Sequence, residues 1–312
     1  MQHFQGNLED VLKLAVIMNF SEEAIEYICS ACKDTGITRP LPDFPEYSLA
    51  SCDMEGKTAC RFLIIPRPPQ EERADIFAAQ IRADAIQSLM RYLRRENCAA
   101  AIYEDRWYRE NVIIRTRIAA HLHRYEKAMA RKCTVERITK PQADDFLDRY
   151  HSYGSSQCKY CYGTFSPEGR LIAVSTFSGA RRWQKPEGII SSYEWIRYAS
   201  LPGTRIAGGM GKSLSAFIEE VNPDDIMSYA DLEWSDGKTY ETLGFRPESV
   251  TPSQSFIVRE NKREPLKRLS DEIVKKAIEE DPDAYIICNL GSAKFRLKRK
   301  VWQSPLPTAQ PK

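Results

Sequence analysis

The sequence predicts an α/β (α+β) protein, with a mixed sheet flanked by helices preceded by a smaller α/β domain. Three observations predict it. Up to Lys132, short strand-like runs such as Cys60–Ile65 and Ala99–Tyr103 bracket a long stretch of helical periodicity from Glu71 to Asn97. After Lys132 the rhythm changes to strand, helix, several strands, helix, strand, helix, strand. Between one of those strands and the next helix lies a glycine-rich loop, Gly203–Lys212. A chain of 312 residues has room for two domains. The expected divisions are a helical hairpin at 1–35, the smaller α/β domain with a basic helix at 36–130, the mixed-sheet domain at 131–300, and a loose tail at 301–312.

Taken in order, residues 7–34 read as two helices, with Leu8, Val11, Leu12, Leu14 and Ala15 on one face and Ser21 as an N-cap before Glu22 and Glu23. The pair is either a helix-turn-helix or a plain helical hairpin, and no recognition helix favours the first. Gly36 to Pro45 is a connector with three prolines, Tyr47–Ala50 and Cys60–Ile65 are short strands, and Pro66 to Pro69 breaks the chain. Ile76, Phe77, Ile81, Ala85, Leu89, Met90 and Leu93 recur at helical spacing and predict one amphipathic helix. Ala99–Tyr103 is a buried-type strand, and Asn111 to Met129 a further helix. Val135–Ile138 is a strand, Gln142–His151 a helix, and Tyr160–Phe165 with Leu171–Phe177 a hairpin around Pro167-Glu168-Gly169. Ser192–Ala199 is a strand, Lys212–Val221 a helix, Ile226–Ala230 a strand, and a short helix ends at Gly244.

A composition of 42% hydrophobic and 28% charged residues excludes a chain disordered throughout. Net charge is only +2, so its distribution carries the information. From Arg106 to Lys132, eight bases (Arg106, Arg109, Arg115, Arg117, Arg124, Lys127, Arg131, Lys132) face two acids, Glu110 and Glu126. No run approaches the roughly 18 apolar residues that span a bilayer, and no secretory signal opens the chain, so a cytoplasmic protein without a membrane partner is expected. Nine cysteines, an odd number, then read as reduced thiols. Cys29–Cys32 and Cys158–Cys161 have the spacing of half zinc sites, but both sit in apolar patterns, and no metal is expected there. The four histidines show no metal spacing beyond the pair His121 and His123, read as lying on a solvated helix.

The loop Gly203–Lys212, placed between a strand and a helix, presents backbone N–H groups at a helix N-terminus, where phosphate is favoured. It lies between Tyr193-Glu194-Trp195-Ile196-Arg197-Tyr198 and Tyr240-Glu241-Thr242-Leu243-Gly244-Phe245. The order of strand, R-x-x-G-G-x-G loop, helix, strand and Y-x-x-x-G-F resembles the GNAT acyltransferase superfamily, over about Cys133 to Phe256. The final glycine of the loop is displaced by one residue from the usual pattern. The resemblance implies acetyl-coenzyme A or another acyl-coenzyme A as cofactor, contacted at Gly208, Gly209 and Gly211 with help from Arg205 or Lys212. It further implies Tyr240 as the acid that protonates the leaving thiolate and Glu194 as the general base.

The chain also resembles a phage and mobile-element subset of that superfamily, including Mom-type DNA-modification proteins and homing-endonuclease-associated domains. Ala130-Arg131-Lys132-Cys133, Glu194 with Arg197, Ser228-Tyr229-Ala230-Asp231 with Trp234-Ser235, Tyr240 to Phe245, and Ala284 to Phe295 carry this likeness. It implies DNA or another nucleic acid as partner, with Arg197, Tyr229 and Asp231 on the substrate side; each also has a plain structural reading. It implies a degenerate restriction-endonuclease-like fold ahead of residue 130, ending in Ala101 to Trp107. Asp43, Glu55 and Lys57 satisfy a loose PD-(D/E)xK pattern that would take Mg²⁺, yet Asp53 to Gly56 read better as a turn. A decayed platform is therefore the preferred reading over an active nuclease. Arg106, Arg109, Arg115 and Arg117, with Lys298 and Arg299, interleave with aromatics and are the candidate phosphate contacts, the bland alternative being a solvated face. The function expected is a nucleic-acid-associated N-acyltransferase; the rivals are an endonuclease with a GNAT-like recognition domain and a non-catalytic DNA-binding accessory.

Overall fold

The computed structural model describes residues 19–41, 44–95, 97–185, 188–268 and 271–299. The first of the two helices expected within 7–34, and the tail from 301, lie outside them. Helix α1 (Phe20–Ala31) buries Phe20, Ala24, Ile28 and Ala31, a spacing that keeps them on one face. Its cap is Asn19 and not Ser21: the Asn19 side chain accepts from the Glu22 amide at 3.1 Å, and Ser21 is already helical. Strands β1 (Thr35–Thr38), β2 (Ser48–Met54) and β3 (Lys57–Ile65) pair antiparallel, and β4 (Cys98–Tyr103) lies parallel to β3. A parallel step needs a crossover, supplied by helix α2 (Ile76–Leu93), which Asp75 caps. The face of α2 that packs inward is Ala79, Ala83, Ile86, Met90 and Leu93, whereas Ile76, Phe77 and Ile81 are exposed. Ile86, Met90 and Leu93 meet Leu63 and Ile65 of the sheet, while Ala79 and Ala83 meet Ile286 and Cys288. Helix α3 (Glu104–Arg109) and helix α4 (Asn111–His121) follow. The helix expected through Met129 stops early because His123 takes a left-handed backbone, φ 57°, and the chain leaves as strand β5 (Glu126–Met129).

The mixed sheet flanked by helices comes next, as the sequence predicts. Strand β6 (Thr134–Arg137) leads to helix α5 (Lys140–Tyr150), started by a capping box between Thr139 and Gln142 with proline in the first turn. Of strands β7 (Tyr160–Phe165), β8 (Leu171–Phe177), β9 (Arg181–Lys185) and β10 (Gly188–Ser200), β8 pairs antiparallel with β7 and with the second half of β10, and β9 pairs antiparallel with the first half of β10. After β11 (Thr204–Ala207), helix α6 (Gly209–Val221) crosses to β12 (Asp225–Asp231), which is parallel to β10. Helix α7 (Lys238–Thr242) precedes strand β13 (Arg246–Thr251). Alternation along β7 sends Cys161 to the core under α5 and Tyr162 to the core under α6, so one helix covers each face.

Before the last strand the chain makes a detour. Strands β14 (Ser255–Arg259) and β15 (Lys262–Pro265), helix α8 (Asp271–Glu280) and strand β16 (Tyr285–Cys288) form a separate three-stranded sheet, and strand β17 (Ser292–Lys298) then returns between β12 and β13. Val258, Tyr285 and Ile287 of the detour share a core with Leu63, Ile65, Ile86 and Met90. The detour therefore covers one face of the N-terminal sheet, and α1 with α4 covers the other through Ile28, Phe62, Trp107, Ile114 and Ile118. Burial on both faces accounts for the unbroken apolar run of β4.

Candidate active site

Strands β10 and β12 pair only over Ser192–Glu194 against Asp225–Met227, although β10 runs on to Ser200 and β12 to Asp231. The two strands part there and leave a wedge. Its cause lies on the other edge of β10, where the register with β8 slips between Trp195 and Arg197, a bulge that bends the strand. After β10 the chain passes through β11, which pairs with β5, and then turns through Gly208, whose φ of 78° suits glycine, into α6. No side chain caps that helix, and the amides of Gly209, Met210 and Gly211 meet no acceptor among the described residues. Gly209 has a packing reason as well, since a Cβ there would sit 2.8 Å from Ile206 and from the Tyr198 hydroxyl. The helix begins at Gly209, three residues before the expected Lys212.

Tyr240, on α7, stands within the wedge, its ring packed among Trp195, Phe245 and Phe295. Ser228 Oγ donates to the Trp195 carbonyl at 2.9 Å and lies 2.9 Å from the Tyr240 hydroxyl. Burial pushes the Tyr240 hydroxyl above the ordinary tyrosine value, and the contact with Ser228 offsets only part of that.

Glu194 points away from Trp195 on the same strand, 23% exposed, with the Arg181 guanidinium 3.8 Å away. Arg197 donates from Nε to the Gly154 carbonyl at 3.1 Å and from Nη1 to the Ile196 carbonyl at 3.0 Å. Asp231 accepts from the Tyr153 hydroxyl at 2.9 Å and the Glu233 amide at 3.0 Å, with Arg106 Nη1 at 3.3 Å. Burial alone would raise the Asp231 carboxyl, but Arg106 and Arg117 outweigh it and hold the group below the usual carboxylate range. Tyr229 is more exposed, its hydroxyl 3.9 Å from Met227 sulfur.

Arg197 and Asp231 thus meet around Tyr153, whose ring lies under the guanidinium carbons of Arg106 at 4.9 Å and Arg197 at 5.8 Å. Next to it, burial first and then Arg197 and Arg117 push His151 down to about 3, so the imidazole is neutral at physiological pH, and its Nδ1 accepts from the Tyr153 amide at 3.1 Å. Behind this group is a buried ionic network. Arg263 of β15 donates to Asp105 at 2.6 and 3.1 Å and to Glu233 at 2.8 Å, and Arg106 lies 3.3 Å from Glu233. Tyr153, Arg263 and Glu233 were not legible beforehand, because partners 30 to 158 residues apart leave no spacing motif.

Of the cofactor contacts expected besides the glycines, Lys212 Nζ donates to the carbonyls of Ala130, at 3.0 Å, and Cys133, so its ammonium is directed at the linker. Arg205 is exposed, donates to the Tyr125 hydroxyl at 3.2 Å and stacks on that ring at 5.3 Å. Of the six expected phosphate contacts, Arg106 is 4% exposed inside its ion pairs, a position that keeps it from any external phosphate. Arg115 lies 5.0 Å from the Tyr27 and Trp107 rings, and Arg117 4.4 Å from Trp234. Arg109, Lys298 and Arg299 are exposed, Arg299 donating to Asn222 at 3.3 Å. Asp43 lies outside the described residues; Glu55, φ 53°, and Gly56 form the β2–β3 turn and Lys57 opens β3, which is the turn geometry the sequence favours there. Cys32 and Cys161 belong to different cores, so the two half-motifs do not converge.

No protein-family model matches this chain, and no curated protein does. Solved structures do. The chain is similar to the histone acetyltransferase HPA2 and related acetyltransferase from Corynebacterium glutamicum, at 13% identity over 55% of this chain and 99% of that one, with a TM-score of 0.35. It is similar to the spermidine/spermine N-acetyltransferase SpeG from Vibrio cholerae, at 11% identity over 55% and 95% of the two chains, with a TM-score of 0.32. To the AtaT mutant toxin bound to the C-terminus of the antitoxin AtaR and acetyl-CoA it is 18% identical, over 44% and 95%, with a TM-score of 0.26.

Proposed function

We propose that this chain is an acyl-coenzyme A-dependent N-acyltransferase of GNAT type. The observation that carries the reading is the uncapped N-terminus of α6, reached through β11 from a strand, β10, that parts from its parallel neighbour, with Tyr240 inside the parting. Free amides at a helix start bind pyrophosphate, and glycine at 208, 209 and 211 keeps side chains out of the way. An extended pantetheine arm suits a gap between strands whose ladder stops at Glu194 and Met227, because it can take the place of a strand. The bound thioester would supply an activated acyl group. Arg205, exposed beside the loop, would add charge toward the phosphates, while Lys212 would act only by fixing the linker.

On the acceptor side, Glu194 would take the proton of an incoming amine and Arg197 with Asp231 would orient it. Tyr240 would hold its proton at the hydroxyl until the sulfur needs it, and burial favours that neutral form. The finer form of the proposal has the amine on a nucleic acid, supported by the exposed Arg109, Lys298 and Arg299. Isothermal titration with acetyl-coenzyme A tests the main reading: wild type binds one equivalent, and Tyr240→Phe binds equally but transfers at least about 100-fold more slowly. No heat with wild type would refute it. For the finer form, removing any of the three exposed bases should lower the salt slope of DNA binding by about one unit.

A further inference from the structure

One transverse row of the N-terminal sheet runs Thr35, Cys52, Cys60, Cys98, paired in register from β1 to β4. Residues opposite one another on neighbouring strands project from the same face, so three thiols line up toward α1 and α4. Helix α4 ends at His121, and its Nδ1 lies 3.2 Å from Cys98 Sγ. Cys60 Sγ completes a trio whose ligand atoms all lie within 4.8 Å of one another. The His121 ring is held in place, stacked on Trp234 at 6.2 Å and 8° and edge-on to Phe62 at 6.2 Å.

We propose that Cys60, Cys98 and His121 form a binding site for a thiophilic divalent cation of the zinc(II) class. Two thiolates and an imidazole are zinc donors, and the trio contains no carboxylate of the kind that magnesium or calcium requires. Zinc–sulfur bonds of about 2.3 Å and zinc–nitrogen bonds of about 2.0 Å put tetrahedral ligand atoms about 3.5–3.8 Å apart. The observed separations, from 3.2 Å to at most 4.8 Å, bracket that range, so rotation of side chains closes the site without moving a strand. Cys98 is at the surface and gives the ion a way in, while Cys60 is fully buried and anchors it. Among the described residues the trio supplies three ligands, which leaves a fourth position to water or an exchangeable ligand. An ion held there would tie β3, β4 and the end of α4 together, five residues ahead of β5, which pairs with β11 of the glycine loop.

The test uses the untagged full chain, reduced and stripped with chelator, titrated with cobalt(II) and then with zinc(II). The expected result is one cobalt per chain, a thiolate-to-metal charge-transfer band, and its loss on adding one equivalent of zinc. Loss of an outer hydrogen-bond partner already costs a metal site about 10–100-fold, so Cys98→Ser and His121→Ala, which remove ligands, should weaken binding by more than about 100-fold. Cys29→Ser and Cys158→Ser should leave it unchanged. Cys98 is exposed, so its serine variant retains the core, and an unchanged metal-free melting temperature verifies that. Absence of the band, a band that survives Cys98→Ser, or a Cys60–Cys98 disulfide that persists under reductant would each overturn the proposal.

Discussion

Replacing Gly211 by glutamate separates folding from cofactor binding at the glycine loop. The first turn of α6 holds no acidic side chain, and Gly211 lies within it at a position where a Cβ would make ordinary contact, 3.4 Å from Leu243. Two effects on the free protein have the same sign. Glycine costs a helix interior up to about 1 kcal/mol relative to alanine, and an acid in the first turn is favoured by about 0.3–1 kcal/mol. The variant should therefore melt no lower than wild type. Against a bound pyrophosphate the sign reverses. One added negative charge at about 4 Å costs about 4 kcal/mol at an effective dielectric of about 20, a loss of about 10³-fold in affinity. Gly211→Ala, which carries the helix gain without the charge, should bind within about threefold of wild type. Calorimetric titration with acetyl-coenzyme A and thermal melting of the three proteins decide the matter. Affinity in Gly211→Glu equal to that in Gly211→Ala would show that no phosphate approaches this helix start.

Three further outcomes follow from the same geometry. Arg263→Met strips the bidentate partner from Asp105 and a partner from Glu233, both buried, and should cost about 3–5 kcal/mol in urea unfolding; a change under about 1 kcal/mol would mean the network is not closed as described. Lys212→Met takes the ammonium from the carbonyls of Ala130, which keeps the Cys133 amide, and of Cys133, and should cost about 1–3 kcal/mol while loosening the loop; unaltered stability and acetyl-coenzyme A affinity would remove its anchoring role. Tyr240 acts only while protonated, and burial raises its pKa, so the alkaline fall in transfer rate should come above pH 10 and not at it. Ser228→Ala removes the contact that lowers that pKa and should move the fall further up; a fall below pH 9 in wild type would assign the acid elsewhere.

Much of the mixed sheet could be read in the sequence, for a physical reason. Its strands have one face on each helix layer, so β7, β8 and β10 show apolar runs bounded by turn residues, and α5, read from Gln142, begins two residues earlier at Lys140 behind its Thr139 cap. The glycine loop was legible because glycine tolerates φ 78° at Gly208 and close approach at Gly209. What could not be read depends on distant pairing. Met129 belongs to a strand because β11 is there to pair with it, and nothing within 111–129 encodes that partner. Arg106, Arg115 and Arg117 look like a phosphate-binding stripe in sequence, since a guanidinium that is paired inside and one that is free have the same local context. The Cys60, Cys98 and His121 trio escaped for the same reason: register across β3 and β4, not spacing along the chain, brings it together.

The division expected at residue 130 meets a physical objection, and a fragment experiment tests it. The glycine loop is held from the N-terminal side: β11 pairs with β5, Arg205 donates to Tyr125, and Lys212 reaches Ala130. The candidate acceptor end is held likewise, because Asp231 and Glu233 find their cations in Arg106 and Arg263, and Arg263 in turn needs Asp105. Cutting at 130 leaves buried Glu233 and Asp231 without Arg106, and Arg263 without its bidentate acid. Each broken buried pair costs about 3–5 kcal/mol, against a total stability of about 5–15 kcal/mol for a domain. The covering of the N-terminal sheet by Val258, Tyr285 and Ile287 adds exposed apolar surface to that loss. Residues 131–299 expressed alone should therefore show no cooperative melt and no affinity for acetyl-coenzyme A. A fragment that melted cooperatively and bound as the full chain does would establish that the mixed sheet stands alone and that the ionic network merely joins two finished units.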